Sequence, residues 1–496
     1  MAGPNLPKNV VLIQYFLAFS GHLGAFIMAA VWSFSSTALP SLRVDDQMGP
    51  QVTQFVEDWI ASVTFLAGAA GSFACGYLAQ RFGLKRSLQF IAVPLLIGWI
   101  LVAAAQNVSM LMTGRLITGF CVAGVGVSCN IVAELAHKSI RGRLNIGFDL
   151  MFCFGVLFIY VVGTFFSWRT QAASCAGVTL IWFVLLFVIP ESPRSLYERG
   201  APEKARQALA WAQRLDDPKD VDMSEYETTE SLEEKGAPTG TNFWEQVFTL
   251  DVWKPIIIVV ALQFFLQMCG VVPIVCYAVD VFKSAGGHTV HENLYMIIFG
   301  AVNLGATFVA CLCVDKAGRR LLMMGSEASL TLTLLILGVF LYLRDSVGVP
   351  ALQSWEWFPC VCLVLYITGY SFGVGPIPWV ISGEILHHSA KGFSNGVVIV
   401  LTRIFGFLAM FYFKSAINVM GQWGVYWFFA VVCFLGLLFS YFFLPETKGL
   451  KLEQIEMSMK DGWLQHNRPP LVNMDPEGRE YEPVENGPKN VSDSNI

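Results

Sequence analysis

The chain has 496 residues, of which 55% are hydrophobic and 14% charged, with a formal net charge of −5. Soluble domains carry about 25% charged residues, so the composition excludes an ordinary soluble globule and favours a membrane protein. Nucleic-acid binding is excluded as well, because no basic stripe lies outside short loops between apolar runs.

The first segment, 1–10, is short and mildly basic. The apolar run behind it is long enough to span and lacks a small-residue cleavage site, so a retained signal anchor is expected. A spanning helix needs about 20 apolar residues. That ruler gives candidates near 11–33, 59–79, 88–106, 110–134, 145–166, 170–189, 253–281, 293–314, 321–343, 358–383, 393–414 and 424–444. The expected fold is therefore an all-α membrane protein with two six-helix halves, 11–190 and 253–445. Small-residue runs such as Ala67-Gly68-Ala69-Ala70-Gly71 suit close helix packing in lipid.

Loop charges set the topology. One set of loops carries Arg81, Lys85 and Arg86, then Lys138, Arg141 and Arg143, then Lys316, Arg319 and Arg320, then Lys391 and Lys448. The other set mixes Arg43, Arg169, Lys283 and Arg344 with Asp45, Asp46, Glu57, Asp58, Glu292, Asp345 and Glu356. Basic loops face the cytoplasm, so both termini are expected inside, in a multi-pass protein of the plasma membrane. The stretch 191–252 is a polar cytoplasmic linker between the halves, with helical periodicity around Pro202–Leu215. A cytoplasmic tail occupies 446–496 and is expected to be disordered after about 460. The twelve cysteines all fall in apolar runs and read as small hydrophobes. No cofactor, metal or catalytic grouping is expected, and a monomer is expected to suffice.

Three motifs occur twice, at offsets of 235, 250 and 255 positions. The turn with Arg81, Gly83 and Lys85 returns with Asp315, Arg319 and Arg320. Glu134 followed by Arg141 returns as Glu384 followed by Lys391. Pro-Glu-Ser-Pro-Arg, with Glu191 and Arg194, returns as Pro-Glu-Thr-Lys-Gly, with Glu446. Equal order and similar spacing indicate a parallel repeat about an axis along the membrane normal. Carboxylates at span ends can meet the basic turns of neighbouring spans. A ring of such pairs is expected to latch an inner gate in one state and release it in the other. The first copy is expected to be the weaker, since Gln80 and Leu84 stand where the second has Asp315 and Arg319.

These motifs join Gly114-Arg115 with Gly119, Arg141-Gly142, Gly375-Pro376-Ile377-Pro378-Trp379 and Gly383-Glu384. With them, the chain over about 11–457 resembles the sugar porter branch of the major facilitator superfamily. It is most similar to the animal glucose facilitators and the arthropod facilitated trehalose transporters. The resemblance implies a gating role for Arg115 and the duplicated charges. It also implies a sugar site at Gln267 in span 7, Asn303 in span 8 and Trp379 in span 10. Gln263 lies one helical turn from Gln267, and polar groups deep in spans are functional candidates in their own right.

Two positions depart from that family. Asp149 stands where the family has a sugar-binding Gln, and Arg403 where it has a cavity Trp; Thr402 and Gly406 stand where it usually has Asn. At 1.5 Å per residue, Asp149 and Arg403 lie roughly 12 and 18 Å into their spans. They are expected either to pair across the cavity or to receive a charged or zwitterionic solute. Proton-linked relatives carry an Asp in span 1; here that position is about Met28, with His22 nearby, which favours uniport. The expected function is facilitated transport of a hexose or trehalose-like sugar by alternating access. A transporter of another small solute, neutral or charged, is the alternative, and a nontransporting solute sensor is a third reading.

Overall fold

The computed structural model describes residues 7–126, 128–137, 140–215, 217–221, 223, 250–284, 292–349, 352, 355, 357–386 and 391–448. Among these residues there is no strand, and twelve helical stretches are long and apolar enough to cross a bilayer. The first half is built from α1 (Lys8–Arg43), α2 (Gln54–Phe82), α3 (Leu84–Ala103), α4 (Val108–Val125) with α5 (Ser128–Leu135), α6 (Arg141–Phe165) and α7 (Trp168–Val188). Two short helices follow, α8 (Pro193–Glu198) and α9 (Pro202–Gln213). The second half contains α10 (Leu250–Met268), α11 (Val271–Cys276), α12 (Ala278–Ser284), α13 (Glu292–Ala317) and α14 (Arg319–Leu341). It ends with α15 (Phe358–Phe372), α16 (Ile377–Ile385), α17 (Lys391–Phe411) and α18 (Phe413–Phe443). Twelve spans return the chain to the side it started from. That side is called here the terminal face, and the other the far face.

The first span is longer than its apolar run predicts: α1 has 36 residues rather than the stretch 11–33. Its continuation from the end of that stretch carries Ser35, Ser36 and Thr37, which with Ser33 are all buried. Ser33 and Ser36 donate back to the helix carbonyls of Ala29 (2.7 Å) and Ser33 (2.6 Å), and Thr37 is paired with Gln171. Hydroxyls satisfied inside the bundle let a helix continue past its apolar stretch.

Several spans are interrupted: span 4 between α4 and α5, α18 at Gly421 (φ 73°), and spans 7 and 10. Span 7 breaks at Gly270, whose φ of 99° divides α10 from α11. Span 10 breaks over 373–376, where a glycine-proline run separates α15 from α16. Within the first half α2 and α4 touch backbone to backbone: a Cβ on Gly71 would stand 2.0 Å from the Phe120 carbonyl oxygen. Lipid supplies no hydrophobic force between helices, so such close approach is what joins them. Between the halves, α2 packs on α17, α6 on α13, and α1 on α11 and α12.

Candidate functional site

The duplicated turns come first, because they frame the terminal face. Gly83 and Gly318 have φ values of 93° and 92°, and each ends one span and starts the next. The first N–H groups of a helix have no partner in their own helix. In the first half Glu191 fills that role, accepting from the backbone N–H of Lys85 (2.8 Å) and Arg86 (3.4 Å). In the second half Glu446 accepts from the N–H of Arg319 (3.0 Å) and Arg320 (3.2 Å). A carboxylate at a helix N-terminus also opposes the positive end of the helix dipole.

Glu191 and Glu446 thus bind helix ends of their own half, a role not anticipated from the sequence, which pointed to the basic side chains of neighbouring spans. The reason is geometric, since each glycine turn aims two free N–H groups at the carboxylate. The cations find other acceptors: Lys85 Nζ donates to the Phe187 carbonyl (3.2 Å), and Arg320 Nη2 donates to the Tyr441 carbonyl. One expected kind of pair is present, Arg319 Nη2 to Glu384 Oε1 at 3.3 Å, also within a half. Glu384 accepts from Thr447 as well (2.5 Å), and Glu134 accepts from Ser192. Arg81 and Arg194 are exposed. The side chains of Arg141, Asp315 and Lys391 lie outside the described residues. Arg115 sits apart from this face. It is fully buried and donates to the carbonyls of Ile60 (3.2 Å) and Val31 (2.8 Å) and to Ser35 Oγ (3.1 Å), bracing α1, α2 and α4.

The polar middle is formed by spans of the second half. Gln263 is 0% exposed, and neither its Oε1 nor its Nε2 has a hydrogen-bond partner. Gln267, one turn on, is 3% exposed; its Oε1 is enclosed and unpartnered and lies 3.2 Å from where a Cβ on Gly406 would stand. Asn303 is buried and accepts through Oδ1 from Ser371 (3.0 Å). Trp379, on α16 after the break, is 43% exposed. Thr402 is not brought into this set, because its hydroxyl donates to the Val398 carbonyl of its own helix (2.7 Å).

Asp149 and Arg403 do not pair. Arg403 is 6% exposed, and its guanidinium carbon lies 4.6 Å from the centroid of the Trp32 ring across the half boundary. Gly68 on α2 lies beside it: a Cβ there would touch the Arg403 chain at an ordinary 3.7 Å. Trp32 in turn stacks on Phe65, with centroids 5.3 Å apart. A cation over an indole is attracted by the ring quadrupole, so the guanidinium leans towards α1 and α2. Asp149 is half-buried and faces elsewhere, within electrostatic reach of Cys153 on its own helix, Cys311 on α13 and Tyr370 on α15. Arg403 Nε is enclosed without a partner. Neither its terminal nitrogens nor the Asp149 carboxylate makes a hydrogen bond or ion pair among the described residues. His22 is buried, with Nε2 2.9 Å from the Leu144 carbonyl oxygen.

Trp32 was not among the residues singled out from sequence. Its one signal there is position, a lone indole beside the hydroxyl-rich 33–37 segment of span 1.

Two six-span helical halves, spans interrupted at glycines and a buried polar middle define a major facilitator bundle. Solved structures share that fold. The E. coli xylose transporter XylE in a partially occluded inward-open conformation superposes with a TM-score of 0.73 at 23% identity, covering 88% of this chain and 99% of that one. The proton:xylose symporter XylE bound to 6-bromo-6-deoxy-D-glucose gives 0.74 at 23% identity, covering 90% and 99%. The chain belongs to the family described as "Sugar (and other) transporter", whose profile matches residues 12–458. It is 34% identical over 457 residues to trehalose transporter 1 of Drosophila melanogaster and 32% identical over 457 residues to the facilitated trehalose transporter Tret1 of Drosophila willistoni. Each match covers 92% of this chain but 53% and 52% of the relative, so the chain spans about half the length of these curated relatives.

Proposed function

We propose that the chain is a facilitative transporter of a sugar, working by alternating access about the polar middle. One observation carries the reading. Gln263 and Gln267, one helical turn apart in span 7, present amide atoms that are buried and have no partner among the described residues. A buried polar atom without a partner costs roughly 1–3 kcal/mol, and the hydroxyls of a polyol would satisfy it. The relatives that carry trehalose and the fold neighbour that carries xylose support the solute class. On this reading the terminal face is cytoplasmic, because its turns carry the Lys and Arg excess. A single chain suffices, and the plasma membrane is its location.

The test is counterflow in proteoliposomes with labelled trehalose, glucose and xylose. At least one should exchange, and Gln267→Ala should reduce its exchange about tenfold, the loss of one well-placed hydrogen bond. Folded protein that exchanges none of them would overturn the sugar reading.

A second reading has its own observation. Arg403 and Asp149 are each without a counter-charge among the described residues, and bare charge deep in a membrane protein is costly. A solute bearing charge would neutralise one of them. Thermal-shift screening with neutral, anionic and cationic sugar derivatives decides: a charged derivative stabilising the parent, but not Arg403→Gln or Asp149→Asn, would favour it. Uniport against proton coupling is settled by uptake at varied external pH under clamped voltage, where a flat response is expected.

A further inference from the structure

At the far face four charges meet in alternating order. Arg43, at the end of α1, binds Glu57 in the first turn of α2 through Nε (2.6 Å) and Nη2 (2.8 Å). The same guanidinium binds Asp280 on α12 through Nη1 and Nη2, both at 2.8 Å. Lys414, at the start of α18, reaches back to Glu57 (2.5 Å) and lies 3.5 Å from Asp280. A cavity of about 310 Å³ opens at this ring. Beneath it Tyr277 lies under the Lys414 ammonium (4.4 Å to the ring centroid) and donates to Asp58 (3.2 Å).

Arg43 and Glu57 belong to the first half, Asp280 and Lys414 to the second. We infer that the four form a parting clamp, which holds the far face closed and opens along the half boundary into two neutral pairs. Its seam contacts are Arg43–Asp280 and Lys414–Glu57. Its remaining contacts, Arg43–Glu57 and Lys414–Asp280, each stay inside one half. Removing one partner of a buried pair strands the other, which is what makes such pairs costly to break. Here parting strands nothing, because each charge keeps an opposite neighbour. The clamp therefore favours closure without imposing the penalty of bare charge on the open state. That is a requirement for a gate that must cycle.

The proposal rests on the alternating-access reading, but its test needs no solute. Spin labels go on Asp46→Cys and Val419→Cys, exposed far-face positions in opposite halves. The distance distribution is read in the purified full chain. Exchanging Arg43→Glu with Glu57→Arg keeps the pair inside the first half and makes both seam contacts like-charged. Exchanging Asp280→Lys with Lys414→Asp does the same from the second half. Each exchange should lower the ratio of short to long distances about tenfold, and the fourfold variant should return to within about twofold of the parent. Unchanged distributions in the exchanges, or a fourfold variant that melts like the parent yet stays open, would overturn the clamp. If an exchange does not fold, Arg43→Gln with Lys414→Gln must show the same shift, or the proposal is wrong. Failed counterflow beside a responsive clamp would remove the transport reading and leave the clamp standing.

Discussion

Gln263 is the plainest case of a side chain kept at a cost. Both its amide atoms are enclosed and unpartnered, so an apolar residue of similar volume should serve the fold better. Gln263→Met is expected to raise the melting temperature by a few degrees, removing roughly 1–3 kcal/mol of unmet hydrogen bonding, while lowering solute exchange. A lower melting temperature would show that the amide serves packing instead. Asp45, between spans 1 and 2, gives a pH signature. Its burial would raise its carboxyl, but the Arg169 guanidinium (2.6 Å), the Trp168 indole N–H (3.1 Å) and the backbone N–H groups of Met48 and Gln47 hold it below the ordinary 3.8. Its folded value is the lower one, so its stabilisation is complete above the unfolded value and is lost as pH falls through the folded one. Its contribution to the melting temperature should be flat between pH 7 and 5 and decline below about pH 4, with a shallower decline in Asp45→Asn. Side-chain identity was readable at this scale and direction was not: sequence marks Arg403 as a buried cation, whereas its turn towards Trp32 depends on where a helix of the other half brings that ring.

The duplicated turn is the element most nearly identical in the two halves. Gly83 and Gly318 share their left-handed φ, and a Cβ at either would stand 2.9 or 2.8 Å from a Glu191 or Glu446 carboxyl atom. Gly83→Ala and Gly318→Ala each combine backbone strain with displacement of the carboxylate, and each should cost about 1–3 kcal/mol, measured as a fall in melting temperature. Glu191→Gln and Glu446→Gln keep the shape and weaken the helix-end interaction, so about 1 kcal/mol is expected from each. A glycine variant no less stable than its glutamine counterpart would show that neither strain nor contact matters there. The repeat itself is visible in sequence, because Arg, Lys and Gly recur at fixed offsets. What binds them is not, because Glu191 stands 106 residues from Lys85 and Glu446 stands 127 from Arg319. A carboxylate near a basic turn suggests a salt bridge, and only the backbone geometry shows that the N–H groups claim it first.

Over the whole molecule the two faces are held differently. The described contacts of Glu191, Glu446 and Glu384 at the terminal face stay within one half. The far face carries contacts that cross: Arg43 to Asp280, Lys414 to Glu57, and Asn418 to Gln54 (3.3 Å). The Cys276 thiol adds one to the Trp32 carbonyl (3.1 Å). Span count and half boundaries follow from hydropathy, which is why the bundle could be anticipated. The far-face ring could not. Arg43 and Glu57 count in sequence as loop charges, while Asp280 and Lys414 fall at the ends of the runs 253–281 and 393–414. Asp280 gives this scale its own pH test. Burial would raise its carboxyl, yet Arg43 and Lys414 hold it below the ordinary 3.8, and Glu57 shares both cations with it. The sign is that of Asp45, so the closed far-face population should hold from pH 7 to 5 and drop only below about pH 4. Asp280→Asn should open the far face at neutral pH and leave only the shallower drop that comes from Glu57, which the same two cations hold below its ordinary 4.5.

The ring also bears on voltage. A membrane potential acts on moving charge with about 2.3 kcal/mol per elementary charge per 100 mV. Each half carries one cation and one anion of the ring, so when the halves swing apart at the far face no net charge from the ring is displaced through the field. An excitable cell and a resting one would then operate this gate alike, and any voltage sensitivity of turnover would have to originate deeper, at Arg403 or Asp149.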